Sequence, residues 1–170
     1  DVPDAPTMGT ATIVSTTATV PFTAASTGGT ATGFTTTATP GGATASGASS
    51  PHTITGLTVG TSYTFKTAAT NAFGTGPQAN AASNAVTATA AVPDAPSSVT
   101  ATTTGSRKVS VAFTAPNNNG ASITGYTVTS SPGSITATGS SSPIVVTGLT
   151  PSTAYTFAVT ATNSVGTGSA

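Results

Sequence analysis

The phrase Val2-Pro3-Asp4-Ala5-Pro6 returns as Val92-Pro93-Asp94-Ala95-Pro96, and most of the residues after it return too. The 170-residue chain is therefore one module of about ninety residues written twice. A repeat of this length confines the fold to two small domains, each with its own modest core. The repeat divides the chain into residues 1–91 and 92–170.

The spacing between equivalent residues shows where the copies differ. The opening phrases lie 90 positions apart, and Val20-Pro21-Phe22-Thr23-Ala24 matches Val111-Ala112-Phe113-Thr114-Ala115 at 91. From Gly33-Phe34 against Gly125-Tyr126 the offset is 92, and it holds through Tyr63-Thr64-Phe65 against Tyr155-Thr156-Phe157 to Gly74-Thr75-Gly76 against Gly166-Thr167-Gly168. The second extra residue falls in the loop Pro116-Asn117-Asn118-Asn119-Gly120. Both changes of length fall between strands, where they cost little.

Only 4% of the residues are charged, with three basic side chains against three acidic ones. Nucleic-acid binding draws on many Lys and Arg contacts to phosphate, and anionic lipid surfaces need the same groups, so neither partner is expected. No run of about 18 apolar residues spans a bilayer, so membrane insertion is not expected either. Zero cysteines exclude disulfides and thiolate sites.

Where a period can be read it is two, not 3.6. Tyr155, Phe157, Val159 and Ala161 share one face of a strand, and Tyr63, Phe65, Thr67 and Ala69 repeat the pattern. Val109-Ser-Val111-Ala-Phe113 and Ala18-Thr-Val20-Pro-Phe22 alternate likewise, and Tyr126-Thr-Val128 and Phe34-Thr-Thr36 add a third inward strand. Such segments are half-buried antiparallel strands. Pro-Gly at 40 and 132 and Asn119-Gly120 mark turns.

The Pro-Asp-Ala-Pro opening, the aromatic-Thr-Ala exit of the second strand and the run Leu57-Thr-Val-Gly-Thr-Ser-Tyr63 carry a resemblance. The run recurs as Leu149-Thr-Pro-Ser-Thr-Ala-Tyr155, and each copy is followed by an alternating strand and an Asn-x-x-Gly turn. Both copies resemble fibronectin type III domains of the Thr-, Ala- and Gly-rich bacterial or phage surface type. The resemblance implies an all-β chain of two tandem immunoglobulin-like sandwiches, with Leu57 and Leu149 as structural positions and Tyr63 and Tyr155 bonding back to the preceding loop. Phe22 and Phe113 stand where the family usually carries a core Trp. Copy one ends in Ser83-Asn-Ala-Val86-Thr-Ala-Thr-Ala90, its expected last strand, whose counterpart in copy two would centre near position 178, so the second sandwich is expected to lack it and to leave a sheet edge open. Further sequence after Ala170 and a strand donated by another subunit both remain open as explanations.

No constellation points to catalysis, a cofactor or a metal. His52 is the one histidine and its repeat partner is Ile144, while glycosidase chemistry would need paired carboxylates where the chain has three Asp and no Glu. One Asp in each opening phrase falls short of a calcium site. Lys66 and Arg107-Lys108 read as charges on solvent faces or turns. Phe73 and Tyr126 are the aromatics a sugar-binding face would use, although Val165 opposite Phe73 in the repeat favours packing. The expected function is a non-enzymatic structural or display module of a virion or bacterial surface filament, outside the cell or on a cell or virion surface. Its expected partners are copies of itself, neighbouring structural subunits and surface glycans. Accessory spacers of a secreted polysaccharide-degrading enzyme, or a carbohydrate-binding adhesin segment, are the alternatives.

Overall fold

The computed structural model describes all of residues 1–170, which form two compact units, Asp1–Thr89 and Ala90–Ala170. Every regular element is a β-strand. Unit 1 contains β1 (Thr7–Met8), β2 (Thr12–Val14), β3 (Thr17–Val20), β4 (Phe22–Thr23), β5 (Gly33–Thr39), β6 (Thr44–Gly47), β7 (His52–Ile54), β8 (Ser62–Asn71), β9 (Gly74–Gln78) and β10 (Val86–Thr87). Unit 2 contains β11 (Ser97–Gly105), β12 (Lys108–Thr114), β13 (Gly125–Ser131), β14 (Thr136–Gly139), β15 (Ile144–Thr147) and β16 (Thr156–Thr162).

In unit 1, β2, β3 and β7 form one layer, and β6, β5 and β8 with β9 and β10 form the other. All pairings are antiparallel. The run from Thr17 to Thr23 reads as one strand in the sequence but is interrupted at Pro21, which has no N–H to give a ladder. Alternation fixes which residues face inward: Phe34, Thr36 and Ala38 of β5 are buried, as are Tyr63, Phe65, Thr67 and Ala69 of β8. A one-residue slip would turn each of these to solvent. Unit 2 repeats the plan with β11-β12-β15 against β14-β13-β16, and Val111, Phe113, Val128, Ile144, Val146 and Val159 fill the space between.

The opening phrase recurs because both of its prolines are used. Pro3 and Pro6 are buried in unit 1 and Pro93 and Pro96 in unit 2. A Cβ at Gly76 would run into the carbonyl of Pro3, and one at Gly168 into that of Pro93, so the same close approach is built twice.

The outer edges of β8 and β16 differ. Beside β8, the chain from Ala79 to Ala88 forms only the two-residue strand β10, shorter than the strand expected over 83–90. Even so, it is tied along its length. The Ala79 N–H donates to the Thr67 carbonyl at 2.8 Å, and Ser83 exchanges bonds with the Phe65 backbone at 2.9 and 3.1 Å. The Ala88 N–H donates to Thr61 at 3.1 Å. Asn84 then clasps the Ala11 backbone through both its side-chain oxygen and nitrogen, at 2.7 and 3.0 Å. In unit 2, β16 pairs with β13, and its outer side carries the Thr162–Thr167 bridge, a 2.9 Å bond between those two hydroxyls and the Gly168 N–H to Ala161 carbonyl bond. Phe65 is fully buried while its equivalent Phe157 is half-buried, and Tyr155 is likewise more exposed than Tyr63.

Candidate functional site

The tip of each unit near its opening phrase presents apolar side chains to solvent. In unit 1, Asn71 closes the turn after β8: its side-chain oxygen accepts the Phe73 N–H at 2.9 Å while its amide donates to the Asp1 carbonyl at 2.9 Å. Gly74 takes φ +135°, which frees Phe73 to point outward, and Phe73 is 77% exposed. The expectation that Phe73 packs is therefore corrected. A tight Asn-capped turn leaves no neighbour over its third residue, whatever that residue is, and Val165 in the same place in unit 2 is 50% exposed. Val2 and Val92 add partly exposed methyls close to Gly74 and Gly166.

Beside this tip, residues 24–31 and Phe34 line an open groove of about 360 Å³ that contains no charged side chain. Its equivalent loop in unit 2 is closed by asparagines. Asn119 donates to the Val92 carbonyl and to the Asp94 carboxylate, both at 2.9 Å, and Asn163 donates to the Ala91 and Asn118 carbonyls at 2.7 and 3.1 Å. The extra loop residue of copy two thus serves a local hydrogen-bond network, and Asp94 is part of it.

The other singled-out residues lie elsewhere. Tyr126 is buried against Phe113, with ring centroids 4.8 Å apart, and Phe22 stacks on Phe34 at 4.9 Å, so both Phe22 and Phe113 anchor aromatic pairs in the core. Leu57 and Leu149 are buried at 4% and 3% exposure. Arg107 lies in the β11–β12 turn and its Nε donates to the Leu149 carbonyl at 3.3 Å, while Lys66 Nζ reaches the Asn80 carbonyl at 3.5 Å. His52 is sealed in unit 1 at 5% exposure, with Phe22 edge-on to its ring. A base enclosed in this way cannot meet a solvent-borne substrate.

The backbone N–H of Thr58 donates to the Tyr63 hydroxyl at 3.0 Å, and that of Thr150 to the Tyr155 hydroxyl at 3.1 Å. These bonds stabilise the phenolate and hold both phenols below their ordinary range. Each tyrosine therefore clamps the loop before its own strand, five residues upstream. The sequence profile of the fibronectin type III domain matches residues 4–85 and 94–170. The chain belongs to the fibronectin type III family.

Chitinase A1 of Niallia circulans is 37% identical to this fibronectin type III pair over 127 residues, or 69% of the chain. The match spans only 17% of that enzyme's length. Among solved structures, the FN1-FN3 domains of chicken CNTN1 align with 99% of this chain and 64% of theirs, at 20% identity and a TM-score of 0.48.

The two fibronectin type III domains should depend unequally on their tyrosine clamps. Replacing Tyr63 by Phe leaves the part-buried Thr58 N–H bond unmade and is expected to lower the Tm of unit 1 by about 5 °C. Tyr155→Phe acts on an exposed bond that water replaces, so its effect on unit 2 is smaller. Domain-resolved thermal melts of the two variants would show this, and equal losses would refute it.

The sequence missed one group that the structure brings together. Thr36, Thr67 and His52 meet inside unit 1, with Thr36 Oγ1 lying 2.8 Å from His52 Nδ1 and 2.7 Å from Thr67 Oγ1. The signal was present in the offset: the equivalents of these three polar residues are Val128, Val159 and Ile144.

Proposed function

We propose that the chain is a non-catalytic spacer from a secreted protein that acts on polysaccharide, outside the cell. The similarity to part of Chitinase A1 carries this reading and favours it over a virion or filament setting. The surface agrees with the role. A hydroxyl-rich, almost uncharged exterior is not drawn electrostatically to charged polymers, and two separately folded domains hold their neighbours apart without further chemistry. No helix of the chain is long and apolar enough to cross a membrane.

The test is to join a chitinase catalytic domain to a chitin-binding domain, either directly or through residues 1–170. The inserted pair should raise hydrolysis of insoluble chitin several-fold and leave hydrolysis of a soluble chito-oligosaccharide unchanged. Equal rates on the insoluble polymer would defeat the proposal. In the same fusions, Phe73→Ala should change stability by no more than about 0.5 kcal/mol, because the ring is exposed. Retention of the isolated pair on chitin that falls with Phe73→Ala would add direct surface contact to the spacer's role.

A further inference from the structure

The buried apolar side chains of unit 1 fall into two clusters, both packed against the partly buried Met8, where those of unit 2 form one. Phe22, Phe34 and Ala69 form one buried cluster, and Val20, Ile54, Leu57, Phe65 and their neighbours form another. In unit 2 the equivalents of Phe22, Phe34 and Ala69 share one cluster with those of Val20, Ile54 and Leu57, and that cluster also contains Val128, Ile144 and Val159. At the corresponding places unit 1 carries Thr36, His52 and Thr67, all buried. Thr36 lies on β5 and His52 on β7, so their hydrogen bond crosses from one sheet to the other.

Thr36 has one proton to give and stands between two partners, Nδ1 and the Thr67 hydroxyl. The bridge can be made in either direction, because Thr36 Oγ1 can accept from an Nδ1–H and pass its own proton to Thr67; the cost of protonation falls instead on Nε2. Nε2 is buried with no hydrogen-bond partner. As a bare lone pair it costs little, but as an N–H of a cation it would be a buried charge with no anionic partner. Of the groups around the ring, only the Gly47 backbone compensates, and only in part. Val20 of β3 lies opposite His52 in register, Phe22 of β4 is edge-on, Thr36 of β5 and Thr67 of β8 form the chain, and Gly47 of β6 covers Nε2 and Cδ2. None of these is acidic, basic or phenolic. Lys66 is on the alternate face of β8, with its amine at the Asn80 carbonyl.

We propose that unit 1 is an acid-released module: protonation of His52 loosens the joint between its two sheets, while unit 2, which has Val128, Ile144 and Val159 there, stays closed over the same pH range. Desolvation lowers the proton affinity of His52 below the ordinary 6.5, and the Gly47 backbone offsets part of that. The sign is set by linkage. The unfolded chain binds the proton more readily, so the stabilising contribution is complete above about pH 6.5 and is lost as pH falls towards the lowered folded value. Over that interval the unfolding constant of unit 1 rises by up to about tenfold per pH unit.

His52 is the one histidine, so its imidazole resonance in the intact chain can be followed without ambiguity. The native ring should titrate below the value the same chain shows in concentrated urea. Amide exchange, corrected for its intrinsic pH dependence, should then accelerate in β5 and β8 below about pH 6.5 but not in β12 and β13. The triple variant Thr36→Val, His52→Ile, Thr67→Val, which copies the unit 2 residues, should abolish the difference. A native ring titrating at or above its urea value would overturn the proposal. So would equal loss of protection in both units, or none in either. Should the triple variant fail to fold, the titration and exchange of the unaltered chain remain decisive.

Discussion

Replacing Phe65 by Ala should destabilise unit 1 by about 4 kcal/mol, whereas Phe157→Ala should cost unit 2 roughly half as much or less. The two phenylalanines are equivalent in the repeat and lie on equivalent strands, yet Phe65 is fully buried and Phe157 is half-buried. In unit 1 the segment 79–88 lies along β8 and covers Phe65. A buried ring leaves a cavity that its surroundings only partly fill, while a half-exposed one was never wholly removed from water. A domain of this size has a total stability of about 5 to 13 kcal/mol, so the first substitution should shift most of its unfolding transition. Chemical denaturation followed by signals assigned to each unit would measure both losses, and equal losses would contradict the account.

Appending a copy of residues 79–90 after Ala170 should stabilise unit 2 by on the order of 2 kcal/mol. The offset of 92 places Ala170 opposite Gln78, so the added residues continue in register. They would supply the counterparts of the Ser83 bonds to Phe65 and of the Ala79 bond to Thr67, now to Phe157 and Val159. They would also cover the exposed part of Phe157. A scrambled segment of the same composition should leave the Tm of unit 2 unchanged. If both segments stabilise it equally, the gain does not come from strand pairing. Phe157→Ala made in the extended chain should then cost nearly as much as Phe65→Ala does in unit 1.

Much of the architecture is legible in the sequence because period-two alternation and turn chemistry act locally. Tyr63 with Phe65, and Val111 with Phe113, show their inward face without reference to any other strand. The opening phrase marks where each module begins, although only the packed structure explains its prolines, which are buried beside a glycine that admits no side chain. The exposure of Phe73 is hidden in the sequence, because its apolar equivalent Val165 points to packing. Exposure at that turn is set by the Asn71 cap and the backbone of Gly74, not by the apolarity of the residue between them. The end of unit 1 reads as a regular strand over 83–90. The structure replaces most of it with individual bonds from Ser83, Asn84 and Ala88, which carry no periodic signature.

The sequence by itself determined that this protein is two β-sandwich modules and that it is nearly free of charge. Repetition, alternation and composition are properties of residues and their near neighbours, so they survive without coordinates. The tertiary structure alone decided that Thr36, Thr67 and His52 come together between the two sheets of unit 1. Their meeting depends on contacts between strands far apart in sequence and on which polar atoms are left without water. Alternation turns Thr36 and Thr67 inward, but only the packing of one sheet on the other shows that they meet a buried imidazole there.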